Sequence, residues 1–172
     1  TSYIPTSGAT STRLQDIANN SGNASLINST EGVLYAEISA LSNDNTNRRL
    51  SLSDGTNTNR VVISYSSTNN IQIFLVNPSG NFTPSKIIDI TQNAKISVLW
   101  SSTKANFYVN GVVVLETLGD FSYTANTFNT FDFNDGSGGL PFYGKTKALA
   151  VYKTALTDAR LRSLTYPPAV AT

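Results

Sequence analysis

From Gly32 onward, apolar and polar residues alternate with a period of two, broken at regular intervals by short runs of Asn, Ser, Asp and Gly. In GVLYAEISA, residues Leu34, Ala36, Ile38 and Ala40 share one face and Val33, Tyr35, Glu37 and Ser39 share the other. The same reading gives strands over Arg48 to Ser53, Arg60 to Ser66 and Ile71 to Val76, with Lys86 to Ile90 leading into the next pair. A two-residue side-chain period is the mark of a half-buried strand. The breaks Asp54–Gly55, Asn69–Asn70 and Asn77–Pro78–Ser79–Gly80 carry turn chemistry.

The pattern is strongest over Ala94 to Leu115, AKISVLWSSTKANFYVNGVVVL. A polar break at Ser101–Lys104 reverses the chain after Trp100. Asn110–Gly111, a pair that tolerates positive φ, reverses it again and suits a type I′ turn. The run is an antiparallel meander, and its apolar content predicts that all three strands lie inside a sheet. Phe142 to Lys153 reads as the last long strand. The one helix signal is Thr157 to Leu164, with Thr157 as N-cap, Asp158 in the first turn, and Leu161 and Leu164 on one side. Strands every 8–12 residues with turns between them predict an all-β, two-sheet antiparallel sandwich with one short C-terminal helix.

Composition narrows the chemistry. The chain has 172 residues, enough for one sandwich domain, and a formal net charge of +1 with 13% charged residues. That balance argues against phosphate-driven nucleic-acid binding. No apolar run approaches the ~20 residues of a membrane-spanning helix, and no secretion signal is evident. There is no Cys, so disulfides are excluded, and no His, so the commonest general base is absent. The chain begins with Thr and contains no Met, which reads as a module of a larger protein. The expected boundaries are a linker over 1–13, in which Tyr3 and Ile4 form a short docked strand, one domain over 14–166 pinned by Leu14 and Ile17, and an exit linker over 167–172.

The polar surface comes largely from Asn, Ser and Thr, whose amides and hydroxyls match those of sugars. A pyranose offers an apolar face to an aromatic ring and a belt of hydroxyls to amides and guanidiniums. Alternation puts Tyr35 and Glu37, Arg49, Arg60, Gln72 with Phe74, and Asn106 with Tyr108 on outward faces. Gathered in one sheet they would make a saccharide platform. Scattered, they would cover the flanks of the sandwich, with Glu37 and Arg49 paired to each other. Trp100, the single Trp, is a stacking candidate, although its parity with Ile96 and Val98 also fits the core. The loops Asn43–Asp44–Asn45 and Asp132–Gly136 are candidate rims.

Three segments carry a family resemblance. Ala94 to Val114 ends a strand pair in Asn–Gly. LPFYGKTKALAVYKTALTDARLRSLT, Leu140 to Thr165, joins a Phe-x-Gly strand to an ALTDAxLxxLT helix. Gly32 to Ser39 stands as an early core strand. Together these resemble the concanavalin A-like, laminin-G-like jelly-roll domains, over about residues 30–165. The leading segment is similar to segments that precede such domains in bacteriophage virion proteins. The resemblance implies a curved sandwich and, most often, a carbohydrate- or protein-binding role outside cells or on a virion. Calcium held by Asp and Asn oxygens near such loops is implied only weakly, because the spacing is not that of an EF-hand, and no cofactor is expected to be required. The hydrolases of this fold carry Glu-x-Asp-x-x-Glu, which has no match here. Glu37 is alone on its strand, and Asp132 and Asp135 fit a turn better than a paired-carboxylate site. The expected function is therefore a non-catalytic carbohydrate-binding module for an oligo- or polysaccharide, with no nucleic-acid or membrane partner. Its site residues would be Tyr35, Glu37, Arg49, Arg60, Gln72, Tyr108 and Trp100. The alternative is a virion structural, adhesion or protein-binding domain without a glycan site.

Overall fold

The structure, a computed structural model, describes Gly8 and residues 22–77 and 80–167. The sequence-predicted strand at Tyr3–Ile4 and the anchors Leu14 and Ile17 lie outside these residues. The described residues form eleven strands and one helix in order: β1 Gly32–Ala40, β2 Arg48–Ser53, β3 Arg60–Tyr65, β4 Asn70–Asn77, β5 Gly80–Phe82, β6 Ser85–Ile87, β7 Ala94–Trp100, β8 Lys104–Val109, β9 Val112–Leu118, β10 Thr130–Asp132, β11 Gly144–Tyr152 and α1 Asp158–Thr165. They form two antiparallel sheets. Sheet A runs β11-β1-β7-β8-β9, and sheet B runs β10-β2-β3-β4-β5 with β6 also on β4.

Alternation sets the core as expected. Leu34, Ala36 and Ile38 of β1 meet Leu50, Leu52, Val61, Ile63, Ile71 and Ile73 of sheet B, all essentially inaccessible to solvent. Tyr65 spans the two layers by donating its hydroxyl to Ile38 O at 2.9 Å. Trp100 is fully buried. Its indole donates to Ser29 O at 3.2 Å, and its ring meets Phe128 edge-on at 5.8 Å between centroids. Parity with Ile96 and Val98 therefore prevails, and Trp100 leaves the set of ligand-facing residues because no face of its ring reaches solvent.

The meander forms with both turns where the sequence puts them. Asn110 and Gly111 have φ of 50° and 80°, the left-handed pair of a type I′ turn. Ser101 Oγ accepts the amides of Thr103 and Lys104, closing the other turn. One expectation fails. β9 is the edge of sheet A, not an interior strand. Val112, Leu115 and Leu118 are exposed along it, Leu118 at 79%. A run of valines records β propensity, and propensity is silent on whether a further strand pairs outside it.

Helix α1 starts where predicted, with the Thr157 side chain accepting from the Arg160 amide at 3.3 Å. It lies over the outer face of sheet A, where Leu161 packs with Val33, Leu99 and Tyr108. Its C-terminal end clasps the β8–β9 turn, because Thr165 Oγ1 accepts from Gly111 N at 3.2 Å. Burying a leucine to this extent contributes roughly 1.5–3 kcal/mol. The last strand begins at Gly144 rather than Phe142, whose ring turns inward onto Tyr65 and Phe133.

Candidate functional site

The outward side chains divide between two faces that point away from each other. Tyr35 and Glu37 (β1) and Tyr108 with Asn106 (β8) belong to sheet A. Arg49 (β2), Arg60 (β3), and Gln72 with Phe74 (β4) belong to sheet B. A single platform made of the whole set is therefore ruled out by topology.

On sheet A the candidates face one another in a row, Tyr35 opposite Ser97 and Ser97 opposite Tyr108. Ser97 Oγ and Asn106 Oδ1 are buried without a hydrogen-bond partner, while Glu37, Lys147, Lys104 and Asp158 on this face are engaged. Glu37 accepts from Lys147 at 2.9 Å and Asn93 at 2.6 Å, and from the Tyr35 hydroxyl at 3.4 Å. Burial alone would raise the Glu37 carboxyl, but the Lys147 and Asn93 hydrogen bonds outweigh it and hold the group below the usual carboxylate value. Burial, then the Glu37 charge, pushes the Tyr35 hydroxyl up to about 12. Glu37 thus pairs with Lys147, not with Arg49. Along the same face Lys104 bonds Asp158 at 2.7 Å and Glu116 at 3.1 Å, and Asn106 Nδ2 donates to Asp158 at 2.9 Å. With α1 lying on it, this face has little left to offer a ligand.

Sheet B presents a grid. Register places Arg49, Ser64 and Gln72 in one row, Ser51, Val62 and Phe74 in the next, and Ser53, Arg60 and Val76 in the third. Ser51, Ser53, Ser64 and Val62, one or two from each row, form a buried floor, while Arg49, Arg60, Gln72 and Phe74 remain partly exposed above it. The Arg49 guanidinium sits 4.7 Å from the Phe74 ring centroid, a cation–π contact, and its Nε donates to Ser64 Oγ at 3.3 Å. Arg60 Nη1 donates to Asp135 O at 2.8 Å and to Asn57 Oδ1. Gln72 Oε1 accepts from Ser66 Oγ at 3.1 Å.

One wall of this face is the loop Asn134–Gly139, which leaves β10, rises over the sheet and returns to β2 at Arg49. Gly136 has φ of 91° and lies so close to the floor that a Cβ there would sit 2.9 Å from the Ser53 Cβ. The loop holds itself in place. Asp135 accepts from Ser137 N, Ser137 Oγ and Gly139 N at 2.9–3.0 Å. Burial would raise its carboxyl, but these bonds and the Arg60 charge bring it below the ordinary value. The Asp135 carboxylate is therefore used inside the loop. At the other rim loop, Asp44 is taken up by Arg48 at 2.7 Å and Ser42 at 2.8 Å. Among the described residues no group of three or more Asp and Glu could hold a metal ion.

Two features of this face were not legible as function. Ser51, Ser64 and Val62 have outward parity in the sequence, but short side chains carry no signal that separates a binding floor from any other strand face. That the Asn134–Gly139 loop walls the same face as Arg49 and Arg60 depends on β10 pairing with β2, a contact across most of the chain.

Fold and comparison agree. Residues 15–162 match the family model of the concanavalin A-like lectin/glucanases superfamily, and the chain belongs to that superfamily. A sequence comparison with curated proteins returns no match. Among solved structures the chain is similar to the CBM40 of Ruminococcus gnavus IT-sialidase, at TM-score 0.66 and 15% identity, covering 81% of this chain and 84% of that one. It is also similar to domain 4 of AbnA, a GH43 extracellular arabinanase from Geobacillus stearothermophilus solved with arabinotriose, at TM-score 0.64 and 14% identity, covering 84% and 70%. Against the NanB sialidase of Streptococcus pneumoniae the TM-score is 0.65 at 13% identity, covering 89% of this chain but 28% of that one. At such identities these likenesses speak for the fold.

Proposed function

We propose that the chain is a non-catalytic carbohydrate-binding module acting outside the cell, and that its saccharide binds on the outer face of sheet B, around Arg49, Phe74, Gln72 and Arg60. The observation that carries this reading is the Arg49–Phe74 stack at 4.7 Å, standing over a serine floor beside a rigid loop wall. It is a preformed cluster of directional donors on the face opposite α1. Two similar structures are described with oligosaccharides, sialyllactose in the R. gnavus CBM40 and arabinotriose in the arabinanase domain, which makes a saccharide the natural class of ligand. A cutting function would need two carboxylates about 5 Å or more apart across a cleft. Glu37 and Asp135 stand on opposite faces, and each uses its oxygens within the protein. Among the described residues no helix is long and apolar enough to cross a membrane.

The test is a glycan array followed by affinity gel electrophoresis. Wild type and Tyr35→Phe should be retarded alike by the selected glycan, while Phe74→Ala and Arg49→Ala migrate freely with unchanged melting. Retention that survives both sheet B changes and disappears in Tyr35→Phe would move the site to sheet A.

A second reading, a protein-binding or adhesion domain without a glycan site, is favoured by β9. Unpaired edge strands with exposed apolar side chains invite strand addition by another chain. A Leu118→Lys change should then abolish partner capture and leave any glycan retention intact.

A further inference from the structure

The cations of this protein differ in what they are paired with. Arg48, Lys104 and Lys147 each have a carboxylate within 3.1 Å. Among the described residues Arg49 and Arg60 have none. Exposed cations such as Lys86, Lys145, Arg160 and Arg162 also lack one, but Arg49 and Arg60 are partly buried and share one face, close enough for each charge to bear on the other. Arg49 is half-buried, and desolvation is the main influence lowering its pKa, with the Arg60 charge next. Two guanidiniums partly removed from water, with the Asp135 carboxylate acting on them only from within its own loop, raise the energy of the free state, and an anion arriving between them relieves it.

The unused hydrogen-bond donors lie on the same surface. The cation–π contact with Phe74 and the bond from Nε to Ser64 hold the Arg49 guanidinium in position. Among the described residues its two terminal nitrogens have no hydrogen-bond partner. That edge is the fork that matches a carboxylate bidentately. Arg60 Nε and Ser51 Oγ are buried and likewise without a hydrogen-bond partner. A buried donor left unpaired in a native structure calls for an explanation, and a ligand is one. The nearby acid that could have competed, Asp135, is bound to its own loop.

We infer that the saccharide held on sheet B is an acidic one, its carboxylate gripped by Arg49 with Arg60 as the second cation, and that neutral sugars of the same size are poor ligands. This rests on the proposed glycan site and narrows its ligand class. The fork requires a planar carboxylate, which both uronic acids and sialic acids supply.

Calorimetry with four probes tests it: polygalacturonate against its fully methyl-esterified form, and 3′-sialyllactose against lactose. Within one pair or both, the charged member should bind at least about tenfold tighter, and which pair responds identifies the source of the carboxylate. Added salt should weaken that binding. Arg49→Lys keeps the charge and loses the fork, so it should bind about as poorly as Arg49→Ala, with melting temperatures confirming that both are folded. Equal binding of charged and uncharged members, removed by Phe74→Ala, would overturn the acidic ligand and leave the glycan site standing. Silence from all four probes would also overturn it, and the glycan array then decides separately whether a neutral glycan occupies the face.

Discussion

Both outer faces of this sandwich are written in the same period-two code, yet they end as opposites. On sheet A the outward residues Tyr35, Glu37, Asn106 and Tyr108 are covered or matched by α1, Lys147, Asn93 and Asp158. On sheet B the outward residues Arg49, Gln72, Phe74 and Arg60 are held in place from beneath and from the side, with donors left over. Polar composition alone does not mark a binding surface. Sheet A also keeps unmatched groups, Ser97 Oγ and Asn106 Oδ1, but buries them. What marks a binding surface is polar groups that are fixed, not fully matched and within reach of solvent, as around Arg49.

The contrast can be broken from either side. The largest effect is expected at Leu161→Ala, which removes the helix anchor from Val33, Leu99 and Tyr108. A Leu→Ala change at a fully buried site costs about 2–5 kcal/mol. Urea unfolding should show that loss, while the protein that remains folded keeps its affinity for glycan. A matching loss of affinity would mean that the two faces are coupled. Next is Gly136→Ala in the wall over sheet B. A left-handed φ costs a non-glycine residue roughly 1–2 kcal/mol, and the 2.9 Å approach to Ser53 adds to it. Here stability and glycan retention should fall together, since the loop shapes the face. Stability lost with retention intact would detach the loop from the site.

The smallest effect is expected at Glu37→Gln. Lys147 is largely exposed, so the pair contributes about 0.2–1 kcal/mol. The folded carboxyl has a lowered pKa and holds its proton less tightly than the unfolded one. Its stabilisation is therefore complete above the unfolded value, near 4.5, and fades as falling pH protonates the folded carboxylate. Chemical denaturation of wild type and variant should show a gap at neutral pH that closes on acidification. A gap that widens below pH 4 would mean that burial, not hydrogen bonding, governs Glu37.

Local regularities were readable because they depend on neighbours in sequence. Leu34, Ile38, Leu50 and Ile63 faced inward as alternation requires, Asn110–Gly111 turned as its φ preferences require, and Thr157 capped the helix. Strand order was not readable. It put β9 at an edge, set β2, β3 and β4 side by side, and separated Arg49 from Glu37. The ligand-facing set failed where it assumed that outward residues share one outside. A sandwich has two, and a helix more than a hundred residues beyond β1 determines which of them stays open.

The position of β1 has a further consequence. It is zipped on one flank to β7 and on the other to β11, with Leu34 partnered by both Val98 and Val151. A nascent polypeptide therefore cannot finish this layer until nearly the whole domain has left the ribosome. Such distant pairings are slow to find, on the order of milliseconds to seconds. Until they form, β1 is a naked apolar ribbon, and the growing protein is then most vulnerable to clumping.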